Sequence, residues 1–306
     1  MTAQVHVQKS TRVTLKNILF ATDFSSCAQA ALPYVESIAR HYGAKTYIAH
    51  VMSPATYGYV PPEAAVAFET MQESTMRQLQ ELADEPVFEF LPHETLLAEG
   101  EVVEELRKIV VKDEIDLLVL GTHGRHGLGK IILGSVTDSL LHRPLCPILT
   151  VGPRAPHVAH ERGREPDTEN LLHRILLATD LTPESDGARE FALSLAQENQ
   201  AQLTVLSVLA DASADPAYAL ALFKSTLERV RGTVPEEAEF WCKPECLVDF
   251  GPTSDVIVKQ ARTQHSDLIV VGVSGCVRRN GHPQGKVSYE VISRAPCPVL
   301  AVPTNM

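Results

Sequence analysis

The sequence has few cysteines, a single tryptophan and no long apolar run. Its 306 residues include 6 cysteines without the paired spacing of a disulfide framework, which favours a reducing compartment over an exported scaffold. No apolar stretch approaches the ~18–20 residues that a membrane span needs, and the N-terminal segment lacks the apolar core of a secretory signal. We therefore expect a cytoplasmic protein that does not interact with a membrane.

Positive charge is also scarce. The 27 Lys and Arg residues are outnumbered by 38 Asp and Glu residues, which gives a formal net charge of −11. This balance argues against general binding to DNA or RNA backbones, which requires clustered Lys and Arg. Hydrophobic residues make up 44% of the chain and charged residues 21%, which is typical of a packed globular protein. The length predicts about two domains.

The chain contains an internal repeat, and the repeat determines the predicted architecture. KNILFATDFS (16–25) returns as HRILLATDLT (173–182), at an offset of 157. DLLVLGTHG (116–124) returns as DLIVVGVSG (267–275), at an offset of 151. We therefore predict one domain over 14–152 and a second over 171–303.

A segment without apolar periodicity separates the two repeats. Residues 153–170 are rich in Pro, Gly, Arg and Glu, a composition that cannot bury a face, and we predict a linker there.

Within each repeat, short apolar runs alternate with longer helical stretches. In the first repeat, strands are expected at Ile18–Ala21, Tyr47–Val51, Val87–Phe90 (with an extension towards Ala98), Leu117–Leu120 and Ile148–Val151. Helices are expected near 25–42, 61–85, 100–113 and 131–142, with Ser25 capping the first, Gly43 closing it and Pro33 bending it. Apolar strands alternating with helices predict a parallel sheet covered on both faces, a doubly wound α/β fold, in each half.

The most informative motif follows the strand DLLVL. Gly121, Gly124 and Gly134-Ser135 lie at the strand's carboxyl end and lead into a helix. Ligands of open α/β sheets bind at this edge, where glycines let the backbone approach a phosphate and helix N-terminal N–H groups attract the anion. Lys130 and Arg125 add positive charge. A purely structural tight turn is the alternative explanation of these glycines.

These segments together resemble the universal stress protein family. The resemblance rests on ILFATDFS, AHV, LLVLGTHGRHGLGKIILGSVTDSLL and CPILTV, and it extends over nearly the whole chain, twice. It implies a tandem two-domain protein with Rossmann-like five-stranded sheets of strand order 3-2-1-4-5, similar to adenine nucleotide alpha hydrolases. It also implies that the halves pair through their last strands as an internal pseudo-dimer, with a homodimer as a further candidate assembly.

The resemblance further implies an ATP-binding protein of the stress response. The family's motif is G-x2-G-x9-G-(S/T), and Gly121, Gly124, Gly134 and Ser135 match it in full. Asp23 is expected beside the adenosine and Val51 near the adenine, although Asp23 is also placed to form a turn and cap a helix. The complete predicted nucleotide site comprises Ala21, Thr22, Asp23, Val51, Leu120, Gly121, Gly124, Arg125, Lys130, Gly134, Ser135 and Val136.

The second half departs from the motif. The glycine spacing is kept, but Lys286 stands where Ser or Thr is expected, and Pro283 in the loop cannot donate a backbone N–H to a phosphate. Arg278 and Arg279 add positive charge that would suit one. A candidate second site is therefore left open at Asp180, Val208, Gly272, Gly275, Gly285 and Lys286.

The sequence is also compatible with two other functions. The sequence names no general base for water, so an ATP hydrolase would be slow and would use Mg²⁺ or Mn²⁺. A scaffold or small-ligand sensor that binds no nucleotide is the other alternative.

Two pairs of residues are weak candidates for a metal site: Cys242 with Cys246, and His123 with His126. Neither pair has further ligands at the spacing of a known metal motif.

Overall fold

The computed structural model describes residues 12–53, 65–122, 133–152, 171–210, 215–242, 244–274 and 286–304, without the side chains of 65–67 and 286. The elements of the first half are β1 (Asn17–Ala21), α1 (Ser26–Gln29), α2 (Leu32–Tyr42), β2 (Lys45–Met52), α3 (Ala65–Ala83), β3 (His93–Glu99), α4 (Val102–Lys112), β4 (Leu117–Gly121), α5 (Ser135–His142) and β5 (Ile148–Val151). Those of the second half are β6 (Arg174–Ala178), α6 (Asp186–Glu198), β7 (Gln202–Leu209), α7 (Pro216–Gly232), β8 (Glu245–Phe250), α8 (Thr253–Thr263), β9 (Leu268–Val273), α9 (Lys286–Arg294) and β10 (Val299–Pro303).

All ten strands belong to one continuous sheet, in the order β3-β2-β1-β4-β5-β10-β9-β6-β7-β8. Each half is parallel and has the order 3-2-1-4-5 in its own numbering. The halves meet where β5 pairs antiparallel with β10, with Leu149 opposite Leu300. Thr150 Oγ1 also donates to the Val299 carbonyl oxygen at 3.0 Å. The tandem architecture therefore fits an internal pseudo-dimer.

Helices cover both faces of the sheet, as a doubly wound fold requires. On one face a single apolar cluster runs through both halves and includes Ile18, Leu149, Leu177, Phe191 and Leu300. On the other face there are two clusters, one under α4 and α5 in the first half and one under α8 and α9 in the second, and the latter also includes Leu133 of the first half. The predicted α/β class is confirmed, and the core that crosses between the halves makes their separation costly.

Polar contacts join the halves at the rim of this shared core. The Val13 backbone N–H donates to Ser194 Oγ at 2.8 Å, and His41 Nε2 lies 3.5 Å from Glu198 Oε2. Burial and the neighbouring Glu198 carboxylate raise the pKa of the Tyr42 phenol. These contacts tie α2 and the segment before β1 of the first half to α6 of the second.

Two expected caps are present in the first half. Ser25 Oγ accepts the Ala28 N–H at 3.2 Å and caps α1, and Gly43, with φ +62°, ends α2 in the left-handed conformation. The single helix expected over 25–42 was wrong, because the chain breaks at Ala30–Ala31 and starts a new helix. Pro33 lies in the first turn of that second helix, where a missing N–H costs nothing.

The third strand also differs from expectation. The run Val87–Phe90 was predicted as a strand, but Pro86–Phe88 forms a 3₁₀ turn and β3 begins only at His93. Pro86 fixes the backbone of this turn, and Phe90 is 76% exposed rather than buried in a sheet. Helix α5 begins at Ser135, with Gly134 as its N-cap, and residues 131–132 of the expected helix lie outside the described residues.

Candidate functional site

The predicted site residues of the first half meet at the carboxyl ends of β1, β2 and β4. Parallel pairing places Ala21 opposite Ala49 on one side and opposite Leu120 on the other. Val51 follows two residues further along β2, and Gly121 ends β4. We call this edge the first-half site. Its described members are Ala21, Thr22, Asp23, Val51, Leu120, Gly121, Gly134, Ser135 and Val136.

The turn after β1 is held by a backbone hydrogen bond to β2 and by a side chain of its own. The Thr22 N–H donates to the Ala49 carbonyl oxygen at 2.9 Å, and Asp23 Oδ1 accepts the Ser25 N–H at 3.0 Å. Phe24, between them, has φ +61°, a conformation rarely adopted by a bulky side chain. Asp23 thus forms the predicted turn, whereas Ser25 and not Asp23 caps α1, and the contact of Asp23 with a ligand stays a prediction.

The two ends of the glycine motif are joined by hydrogen bonds. The Gly134 N–H donates to the Thr122 carbonyl oxygen at 2.8 Å, and Thr137 Oγ1 lies 3.4 Å from the Gly121 carbonyl oxygen. Among the described residues, no side chain caps the N-terminus of α5 at Gly134. The start of α5 is therefore fixed beside the end of β4. Gly124, Arg125 and Lys130 lie outside the described residues.

Gly121 has a packing role that the motif does not reveal. A Cβ atom at this position would lie 2.8 Å from both the carbonyl carbon and the carbonyl oxygen of Cys27. The absence of a side chain lets β4 approach the backbone of α1. Close approach to a phosphate remains a prediction for this residue.

Sequence reasoning missed His50 as a positioning residue. Its buried ring lies on β2, where Nδ1 is 2.7 Å from the Thr22 carbonyl oxygen, and its centroid is 4.7 Å from that of the Phe24 ring. His50 therefore stabilises the turn that contains Asp23. The tripeptide AHV, one of the segments that resemble the family, was the available signal.

The second half has a formed cleft at the corresponding edge. Its volume is about 380 Å³, and it lies at the carboxyl ends of β6, β7 and β9. Its aliphatic lining comprises Ala178, Leu206, Val208, Ile257, Val271 and Val287. The predicted residues Asp180, Val208 and Gly272 line this cleft. Gly275, Gly285 and the Lys286 side chain lie outside the described part of the chain.

The polar lining of this second-half cleft is linked in a chain of hydrogen bonds. Thr182 donates to Asp180 Oδ1 through both its N–H, at 3.0 Å, and its hydroxyl, at 2.7 Å. Ser185 Oγ donates to the Thr182 carbonyl oxygen at 2.8 Å and lies 2.8 Å from Thr179 Oγ1. Since the Ser185 hydroxyl has one proton, Thr179 is the donor in the latter pair.

The two sites lie at opposite ends of the strands of the sheet. Because β5 and β10 are antiparallel, the strands of the two halves point in opposite directions, and so do their carboxyl ends. A ligand at one edge therefore cannot touch a ligand at the other.

The cysteine pair proposed as a weak metal site is divided between a turn and a strand. Cys242 lies in the turn before β8, and Cys246 is the second residue of β8. Burial raises the pKa of the Cys242 thiol to about 12, which keeps the thiol protonated at neutral pH. Over the described ranges, no three His, Cys, Asp or Glu side chains group in a way that would hold a metal ion, and His123 and His126 lie outside those ranges.

Within the same described ranges, none of the helices is both long and apolar enough to cross a bilayer.

Fold and sites together define a class of protein: two tandem parallel α/β units joined through their last strands, each with a candidate site beyond its strand ends. The family model of the universal stress protein family matches residues 14–152 and 172–303. The chain belongs to the universal stress protein family.

Relatives of the same family match one or both halves. A universal stress protein of Mycolicibacterium smegmatis is 26% identical over 299 residues, which cover 93% of this chain and 96% of that protein. Universal stress protein MJ0531 of Methanocaldococcus jannaschii is 28% identical over 141 residues, which cover 44% of this chain and 81% of that protein. The crystal structure of a universal stress protein from Archaeoglobus fulgidus has a TM-score of 0.70 at 19% identity, covering 97% of this chain and 100% of that one. This last likeness shows the fold.

Proposed function

We propose that the protein binds ATP through the first-half site and acts in the cytoplasm as a nucleotide-dependent switch or scaffold of the stress response. The observation that carries the proposal is the position of Gly134 and Ser135. They form the start of α5, which no side chain of the described residues caps. The 2.8 Å bond from the Gly134 N–H to the Thr122 carbonyl oxygen fixes this start at the carboxyl ends of β1, β2 and β4.

Each part of the site suits one part of the nucleotide. The N–H groups in the first turn of α5 and the Ser135 hydroxyl are donors for phosphate oxygens, and the helix dipole favours negative charge there. Val51 is 9% exposed and Leu120 is buried in the same cluster, which gives an apolar surface for the adenine. Asp23 is half-buried, and its carboxylate suits the ribose hydroxyls.

Titration calorimetry with ATP tests this proposal on the full chain. Gly124→Val should weaken ATP binding by at least about tenfold, because a side chain in the motif would occupy the space of the phosphates. Ser135→Ala should lower ATP affinity about tenfold, because one hydrogen bond to a charged phosphate is lost.

Gly232→Val is the matched control, because Gly232 ends α7 and a Cβ atom there meets nothing within 4 Å. It should leave ATP affinity unchanged. A folded Gly124→Val variant with wild-type affinity would refute the phosphate assignment.

ATP should bind with a stoichiometry nearer one than two per chain. The second half lacks an equivalent of the Ser135 hydroxyl and carries Pro283 in its loop. The same titrations measure this number. Two sites of similar affinity would mean that Lys286 replaces the hydroxyl effectively.

A further inference from the structure

The junction of the two halves lies on an approximate two-fold axis. The strand order reads the same from either edge of the sheet, and the two halves meet at the antiparallel pair of β5 and β10. Leu149 and Leu300, which face each other across that pair, are repeat equivalents at the offset of 151. As in a symmetric dimer, residues near the axis therefore contact their own equivalents.

Helices α2 and α6 also meet at this axis. The repeat offset of 157 makes Glu198, the last residue of α6, the equivalent of His41 near the end of α2. These two side chains contact each other, with His41 Nε2 3.5 Å from Glu198 Oε2. The same position of the repeat thus holds a basic side chain in the first half and an acidic one in the second.

The Glu198 carboxylate is buried at the junction. Its side chain is 6% exposed, and Arg12 Nε lies 4.0 Å from Oε1. Oε1 also accepts the Ser194 hydroxyl at 2.9 Å, and Ser194 Oγ in turn accepts the Val13 N–H at 2.8 Å. Arg12, and His41 in its protonated form, are cations that the first half brings to this carboxylate.

A junction built from two second halves would have the opposite electrostatics. The axis would bring Glu198 of one copy against Glu198 of the other, since this position contacts its own equivalent. Two carboxylates in a buried junction repel each other and lose their hydration. Because every chain supplies one half of each kind, excluding pairs of second halves also leaves the first halves to pair with second halves.

We propose that His41 and Glu198 determine which halves pair at the junction, so that a second half accepts a first half and rejects the second half of another chain. Such specificity needs a penalty on the wrong pair as well as a contact in the right one. The apolar contact of Leu149 with Leu300 gives strength but no choice, because leucine stands at both positions. This inference does not depend on nucleotide binding.

Native mass spectrometry of the cut full-length protein tests the inference. A protease site introduced between residues 153 and 170 lets the folded chain be cut there, after which the junction alone holds the two fragments together. Cut protein with and without ¹⁵N is mixed and warmed until the labels have exchanged, and the masses distinguish unlike pairs from both kinds of like pair. The wild type should retain more than about 90% unlike pairs, whereas Glu198→Gln should approach the statistical ~50%.

Exchanging the two residues separates the effect of charge from that of packing. His41→Glu alone should also lose the preference for unlike pairs, because a carboxylate then stands at both positions. Combined with Glu198→His, it should restore more than about 90% unlike pairs, which a loss of packing would not do.

Glu36→Gln is the matched control, because Glu36 pairs with Arg40 at 2.7 Å within α2 and not across the junction. It should leave the share of unlike pairs as in the wild type. Fully exchanged Glu198→Gln protein that keeps more than about 90% unlike pairs would overturn the inference. So would a statistical mixture in the wild type or in the variant that combines His41→Glu with Glu198→His.

Discussion

Replacing Gly121 by alanine is expected to lower the free energy of unfolding by about 3 kcal/mol. The new methyl group would lie 2.8 Å from two backbone atoms of Cys27 and 3.0 Å from the Ala28 nitrogen. Backbone cannot rotate away as a side chain can, so α1 or β4 has to shift. Urea denaturation followed by circular dichroism measures the change.

The repeat supplies the matched control at Gly272. A Cβ atom there would lie 3.4 Å from the nearest atom, Ser185 Cα, which is ordinary contact. Gly272→Ala should therefore change stability by less than about 1 kcal/mol. Equal destabilisation of the two variants would contradict the packing role assigned to Gly121.

Leu149→Asp should destabilise the protein by about 4 kcal/mol or more and expose apolar surface at the junction of the halves. Leu149 is 3% exposed, pairs with Leu300 across β5 and β10, and belongs to the core that both halves share. A carboxylate there would be buried without a hydrogen-bond partner built for it. Thermal melting and binding of a hydrophobic dye measure the two effects.

Leu145→Asp makes the same chemical change four residues earlier. Leu145 is 52% exposed, so its variant should melt within a few degrees of the wild type. If Leu149→Asp melts at the same temperature as Leu145→Asp, the shared core does not hold the halves together.

The strands that lie inside the sheet were predictable, and the edge strand was not. β1, β4 and β5 are buried on both faces, so their sequences are mostly apolar and the expected bounds fall within one residue of those observed. β3 pairs on one side only, and its sequence HETLLAE begins with exposed polar residues. The strand was predicted at the more apolar run Val87–Phe90, although Pro86 begins a turn there.

The positions of the site residues followed from the sequence, but several of their roles did not. Asp23 and Gly134 lie where the repeat and the motif predict. These roles depend on contacts between separate elements. The tripeptide AHV marks His50 in the sequence but not its contact with Thr22, and the glycine motif does not show the contact of Gly121 with Cys27. The direction of each hydroxyl bond in the second-half cleft depends on which carbonyl group the fold brings near.

The antiparallel junction of β5 and β10 makes the order of the two halves interchangeable. Val151 ends β5 and Arg174 begins β6. These two residues lie on the same side of the sheet along the strand direction, three strand spacings or about 14 Å apart. At the other end of the strands, the end of β10 and the start of β1 are separated by the same three spacings. A chain with the halves in reverse order, joined from Pro303 to Asn17 by a segment as long as 152–173, would therefore form the same sheet.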